Sequence, residues 1–323
     1  MTSDFLYRLD TSPRALVKLL PQVVRPPADV ALQHIQSGTF QRSMSLLVMG
    51  TSAVSGLEVA YEHYRGSYSN PIMYTPVILS GVLSIAGAAA FFSRRMARTF
   101  LRYTSFLTVV DGLIGFGFHI RGVQRKPGGW RLPITNIVMG PPIFAPLLFG
   151  TSAYLGILAS YLQREEDFGQ QKIKLESAGN GLHKTDWRED IRTGRFQKHL
   201  CVVTAVGTLC SGGEAFYSHY KDNFKYRVQW SPLIVTPLLA GAALGAFASE
   251  TCANTLLPLA AGAAILNGVA GTFYHVRGIL SRPGGKKKPL YNTLYGPPIF
   301  APLLFSAAGM LGMLAYLMRR ERR

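Results

Sequence analysis

Charge is scarce in this chain, and negative charge scarcer still. Of 323 residues only 16% are Asp, Glu, Lys or Arg, 17 of them acidic and 34 basic, while 48% are hydrophobic. A soluble domain carries about 25% charged residues, so this balance argues against an ordinary water-soluble fold and for an integral membrane protein. Cysteine is nearly absent. Cys201, Cys210 and Cys252 form no C-x-x-C pair, which rules out a disulfide framework and leaves them as small packing residues. Also missing are H-E-x-x-H, a phosphate-binding loop, a dinucleotide fingerprint and a Ser-His-Asp arrangement, so no familiar catalytic chemistry offers itself. Residues 1–43 lack an apolar run suited to a cleavable signal. A Pro- and Arg-rich surface segment is expected there, with the first span directing insertion.

Apolar runs, by contrast, are plentiful. A helix needs about 20 mostly apolar residues to cross a bilayer, and eight candidates lie near 44–62, 73–93, 100–119, 140–162, 199–217, 230–249, 254–274 and 296–318. The expected fold class is an all-α integral membrane protein of eight transmembrane helices. A net charge of +17 would suggest nucleic acid in a soluble protein. Here the basic residues crowd the span ends, so membrane lipid is the expected partner and nucleic acid is not.

The string GPPIFAPLLF occurs at Gly140 to Phe149 and again at Gly296 to Phe305, and this offset of 156 residues holds without a gap along both halves. About a third of the paired positions are identical. The chain therefore divides into a surface segment (1–43), a four-helix membrane repeat (44–166), a polar linker (167–199) and a second repeat (200–323). Each repeat has an even number of spans. The two are then tandem parallel repeats, related by a pseudo-twofold axis along the membrane normal. The side holding the termini collects 21 Lys and Arg and the other side 13. The positive-inside rule accordingly predicts cytoplasmic termini, in a bacterial inner membrane.

What both copies keep points to candidate sites. Matched pairs are Glu58 with Glu214, Tyr61 with Tyr217, His63 with His219, Tyr64 with Tyr220, His119 with His275, Arg121 with Arg277 and Asn136 with Asn292, while Asp111 faces Asn267. His63 and His119 end alternate spans, as do His219 and His275, so each unit presents two imidazoles at one depth, away from the termini. Imidazole is the commonest side-chain metal ligand. Gly56 and Gly112 each precede a histidine by seven residues, as do Gly212 and Gly268, nearly two turns along the same helix face. Such a glycine leaves a flat groove below the ligand, the surface a porphyrin needs between helices. The expectation is a b-type haem, or another metal cofactor, in each repeat. Its ligands would be His63, His119, His219 and His275. Arg121 and Arg277 would face the haem carboxylates, with Tyr64, Tyr220, Asn136 and Asn292 nearby. Close helix packing is the structural alternative for the glycines.

GPPIFAPLLF is expected to start the fourth span of each unit, with Pro146 bending it one turn further in. It would pack on a cofactor on one side and on the neighbouring unit on the other; a bent helix at the interface between the copies is the simpler reading. Glu58 and Glu214 lie about one turn inside spans, and an ionisable group there is a functional hypothesis by default. They are candidates for proton exchange near a quinone or metal. The leading functional expectation is therefore a membrane electron-transfer subunit, exchanging electrons with quinone or a partner redox protein. The alternatives are a metal-ion or proton-coupled transporter or channel using Glu and His at the repeat interface, and a structural anchor subunit of a larger complex.

Overall fold

The computed structural model describes residues 30, 33–34, 37–167, 187–192 and 196–318, and these are helical, with no strand among them. Most of segment 1–43 and of linker 167–199 lies outside the described residues. Among the described residues, seven helices are long and apolar enough to cross a membrane.

The first is α1 (Phe40–Arg65), which ends in a tight turn where Ser67 and Tyr68 take positive φ of 58° and 44°. A short 3-10 turn, Pro71–Tyr74, then feeds α2 (Thr75–Phe92). Ser93 turns the chain by accepting a hydrogen bond from the Met96 amide, and the next rod runs unbroken from Arg94 to Gln124. Within it a π-turn, Ala97–Leu101, precedes α3 (Arg102–Gln124). Next come a short helix α4 (Pro133–Val138) and the long α5 (Ala145–Tyr161).

After α6 (Trp187–Arg192) the same order returns: α7 (Gln197–Lys221), α8 (Ser231–Ala248), α9 (Glu250–Asn254), α10 (Leu256–Leu280), α11 (Pro289–Leu294) and α12 (Leu303–Leu317). One difference has a plain cause. Pro258 stands where the first half has Arg102. Its ring conflicts with the carbonyl four residues back, and the helix breaks at Thr255 instead of running through.

Helices α5 and α12 begin later than the sequence suggests. Residues 140–144 and 296–302 form an irregular entry segment, so Pro146 sits at the start of α5 and bends nothing. As a result α12 has 15 residues and falls short of a full crossing by length alone. In each half the first helix packs on the second and fourth, and the third on the second and fourth; α5 also packs on α7, joining the halves. One apolar cluster, including Leu83, Leu158, Leu200, Leu257 and Leu311, extends through both.

At the end of the bundle away from the histidines, the two halves differ. The buried Asp167 carboxylate contacts Arg94 and Arg98, and Arg164, only 2% exposed, donates to the Ala90 carbonyl at the end of α2. The second half has Glu250 and Asn254 where the first has Arg94 and Arg98, so this ion cluster belongs to one half alone.

Candidate functional site

All four matched histidines make the same kind of hydrogen bond. The Nδ1–H of His63 donates to the Met73 carbonyl (2.6 Å), and that of His219 to the Gln229 carbonyl (2.9 Å). His119 donates to the Pro142 carbonyl, and His275 to the Pro298 carbonyl (2.5 Å). A carbonyl can only accept, which places the proton on Nδ1 and leaves Nε2 of the neutral ring as a lone-pair donor. His63 lies within electrostatic reach of His119, and His219 of His275. Each half thus has two imidazoles within electrostatic reach of one another.

The glycines below them are not open. A Cβ on Gly56 would sit 2.6 Å from the Ser80 Cβ, and one on Gly212 2.3 Å from the Thr236 hydroxyl. On Gly112 it would meet the Pro146 carbonyl oxygen at 2.8 Å, and on Gly268 the Ser306 hydroxyl at 2.2 Å. Each groove drawn from the sequence is filled by a neighbouring helix, because a glycine face in an apolar medium is closed by the closest backbone approach available. The residues thus fit half of a haem site: the imidazoles are oriented as metal ligands usually are, but the cradle for a porphyrin plane is occupied by protein. Among the described residues, no three His, Cys, Asp or Glu side chains gather as a metal site would.

The other candidates fall into place around the repeated string. Gly112, Gly115, His119 and Gly122 share one face of α3, spaced by three, four and three residues. Pro146 covers Gly112 and Gly115, the His119 ring holds the Pro142 carbonyl, and the Pro141 ring lies 2.8 Å from where a Gly122 Cβ would stand. Gly140 itself admits no Cβ, since the Asn136 carbonyl oxygen would be 2.4 Å away. In the second half Pro302 covers Gly268 and Gly271, Pro297 faces Gly278, and Asn292 crowds Gly296 in the same way. The string is docked on its own third helix along a glycine rail, with a histidine as fastener.

Its far side is gripped by the other half. Glu214 on α7 accepts from the Phe144 amide (2.5 Å) and the Ala145 amide (3.2 Å), capping the start of α5. In the reverse direction Glu58 on α1 faces the Phe300 backbone amide, three residues before α12 begins, and the Tyr61 hydroxyl donates to the Gly296 carbonyl (3.2 Å). A carboxylate at a helix N-terminus satisfies orphan amides and the dipole together. Glu214 is thus spent on capping α5, and Glu58 on the entry segment that leads into α12, each on the string of the opposite copy. Phe144 is clamped as well, between Phe116 of its own half (ring centroids 6.4 Å apart) and Gly213 of the other, where a Cβ would come within 3.0 Å of its ring.

Asn136 and Asn292 serve the loops and not a cofactor. The Asn136 side-chain amide donates to the Pro127 carbonyl (3.0 Å) and the Gly129 carbonyl (2.8 Å), and Asn292 repeats this with Pro283 and Gly285. These bonds hold a turn whose Gly128 and Gly284 have φ of 80° and 86°, a region glycine adopts without strain. Asn136→Ala is expected to loosen the loop and speed tryptic cleavage at Arg125 or Arg131 by about tenfold, the factor for about 1.4 kcal/mol of lost local stability. Timed proteolysis followed by mass spectrometry checks this.

Tyr64 and Tyr220 are exposed, at 54% and 49%, and Tyr220 stacks on Phe216 of its own helix. Arg121 and Arg277 are exposed and form no ion pair among the described residues. Asp111 is held by the Thr75 hydroxyl (2.6 Å) and lies within electrostatic reach of His63. The partners that residue types alone did not name are backbone groups: the carbonyls of Met73, Pro142, Gln229 and Pro298, and the amides of Phe144, Ala145 and Phe300. Those within the strings were signalled only by the strings' identity, and the Met73 and Gln229 carbonyls, which lie outside them, left no signal. No protein-family model matches the chain, and neither does any curated protein or solved structure.

Proposed function

We propose that the chain is a membrane-anchoring subunit of a larger complex, built from eight spans in two tandem parallel four-helix repeats about a pseudo-twofold axis. One observation carries this reading: the histidines, asparagines and glutamates common to both copies are used within the protein, as is Tyr61, although the Tyr217 hydroxyl has no hydrogen-bond partner among the described residues. The histidines fasten entry segments, the asparagines brace loops, and the glutamates hold the string of the opposite copy. A structural anchor would otherwise leave such residues without a purpose. Its termini would be cytoplasmic, in a bacterial inner membrane. Extracted from its native membrane in mild detergent, the chain is expected to have a protein mass, with bound detergent subtracted, well above its own 35.4 kDa and to be colourless. The mass of a free chain would overturn the anchor reading.

A second reading is favoured by the free Nε2 atoms. Paired imidazoles with Nδ1 fixed by carbonyls are arranged as metal ligands are, which supports a metal or haem b in each repeat and electron exchange with quinone or a redox partner. A haem would supply one-electron chemistry there; what the chain's own residues would contribute is ligand orientation by the four carbonyls. Absorption spectra of the purified protein, oxidised and dithionite-reduced, with a haemochrome assay, separate the readings. About two haems per chain would favour electron transfer, and their absence the anchor.

A further inference from the structure

The histidine-bearing end is almost purely cationic. Residues 62–74, 119–144, 218–230 and 275–302 contain thirteen Lys and Arg against two acidic residues, Glu62 and Asp222. Both acids are engaged, Glu62 with Arg65 (3.4 Å) and Asp222 with the Gln229 side-chain amide (2.7 Å). Among the described residues, Arg65 alone of the thirteen cations forms an ion pair within 4.0 Å, while Lys221 lies within electrostatic reach of Glu214 and Glu62.

The duplication adds an internal control. Four cation positions are shared by the copies, and in three the residue type has changed while the charge has not: Arg65 with Lys221, Lys126 with Arg282 and Arg131 with Lys287. At the opposite end Arg94, Arg95, Arg98 and Arg102 face Glu250, Thr251, Asn254 and Pro258, so charge there was not kept. Arg and Lys are not interchangeable at a bidentate site. What persists at the histidine end is positive charge at a given depth, the requirement of a diffuse anionic surface and not of one bound phosphate.

Apolar side chains stand among these cations. Ile134 is 71% exposed and its counterpart Leu290 72%, at the start of α4 and α11, and Trp130 and Tyr291 are half exposed beside them. Cations interleaved with exposed aromatic and aliphatic residues on short helices suit the headgroup boundary of a membrane better than the water-facing dock of a soluble protein. We propose that the two loops leading into the repeated strings, 120–139 and 276–295, form a paired seat for anionic phospholipid headgroups. The loops meet the membrane rigidly, since the Asn136 and Asn292 braces fix the turns that carry the charge. This inference is independent of the choice between anchor and electron carrier.

Tryptophan makes it measurable, because the chain has only Trp130, Trp187 and Trp230. In the full chain carrying W187F and W230F, reconstituted in nanodiscs, Trp130 fluorescence reports on lipid beside the loop. At equal mole fraction, brominated phosphatidylglycerol is expected to quench it at least about twofold more than brominated phosphatidylcholine, and salt should narrow the difference. Adding K126Q and R131Q should abolish the preference, whereas K126R with R131K should retain it. Equal quenching by the two lipids in the parent would overturn the proposal and assign the cations to an acidic protein partner. Loss of the preference in the charge-keeping swap would also overturn it, in favour of a geometrically specific phosphate site.

Discussion

Alanine at Glu214 is expected to destabilise the protein by about 2–6 kcal/mol, from two backbone amides left without an acceptor at about 1–3 kcal/mol each. The amides of Phe144 and Ala145 have no helical partner of their own, being at the start of α5. In apolar surroundings water is a poor substitute. Glutamine keeps an acceptor oxygen on a side chain of the same length, so Glu214→Gln should lose less than alanine does, the loss being that of a charged for a neutral bond. Thermal unfolding in detergent, read by the change in helical signal, gives the order wild type, then Gln, then Ala. A role in proton exchange alone would leave stability unchanged in both variants. The same series at Glu58 tests the opposite contact.

Gly268→Ala is expected to be damaging as well. The added methyl would lie 2.2 Å from the Ser306 hydroxyl, 2.6 Å from the Pro302 carbonyl oxygen and 2.7 Å from the Ser306 amide. Two of those three are backbone, so relief requires moving α12 off its rail, and overpacking of this kind costs about 1–3 kcal/mol or more. Gly262 on the same helix would have nothing within 4 Å of an added methyl. Gly262→Ala should therefore lie within about 0.5 kcal/mol of wild type. Folded yield by size-exclusion chromatography and thermal midpoint would separate the two. If glycine were there to admit a haem, Gly268→Ala would instead reduce pigment while leaving the apoprotein folded.

The all-helical, membrane-length character was legible because such helices announce themselves by length and hydropathy, though seven reach that length among the described residues where the sequence suggested eight. The matched polar residues were legible because a duplication carries its own alignment. Their roles were not. His119 and Gly112 form a seven-residue pair whether the neighbour is a porphyrin or a proline carbonyl, and the spacing alone does not distinguish them. Pro146 reads as a kink from sequence, yet the helix starts beside it, since Gly140 and the two prolines keep the entry segment extended over α3. The partners of Glu58 and Glu214 are main-chain amides of the other copy. A backbone donor leaves no mark in residue type, so only the unchanged string hinted at a contact there. The ten residues are alike in both places because each copy's string is held on one side by its own glycine rail and on the other by the opposite copy's glutamate.

That crossed grip is tested most directly by hydrogen–deuterium exchange with mass spectrometry. Peptides spanning 138–150 and 294–306 differ in their flanks and can be followed separately. Glu214→Ala should speed exchange at Phe144 and Ala145 while leaving the string of the second copy as it was, and Glu58→Ala should expose Phe300 while sparing the first. If each substitution instead loosened the string of its own copy, or neither changed any amide, the crossed grip would be contradicted.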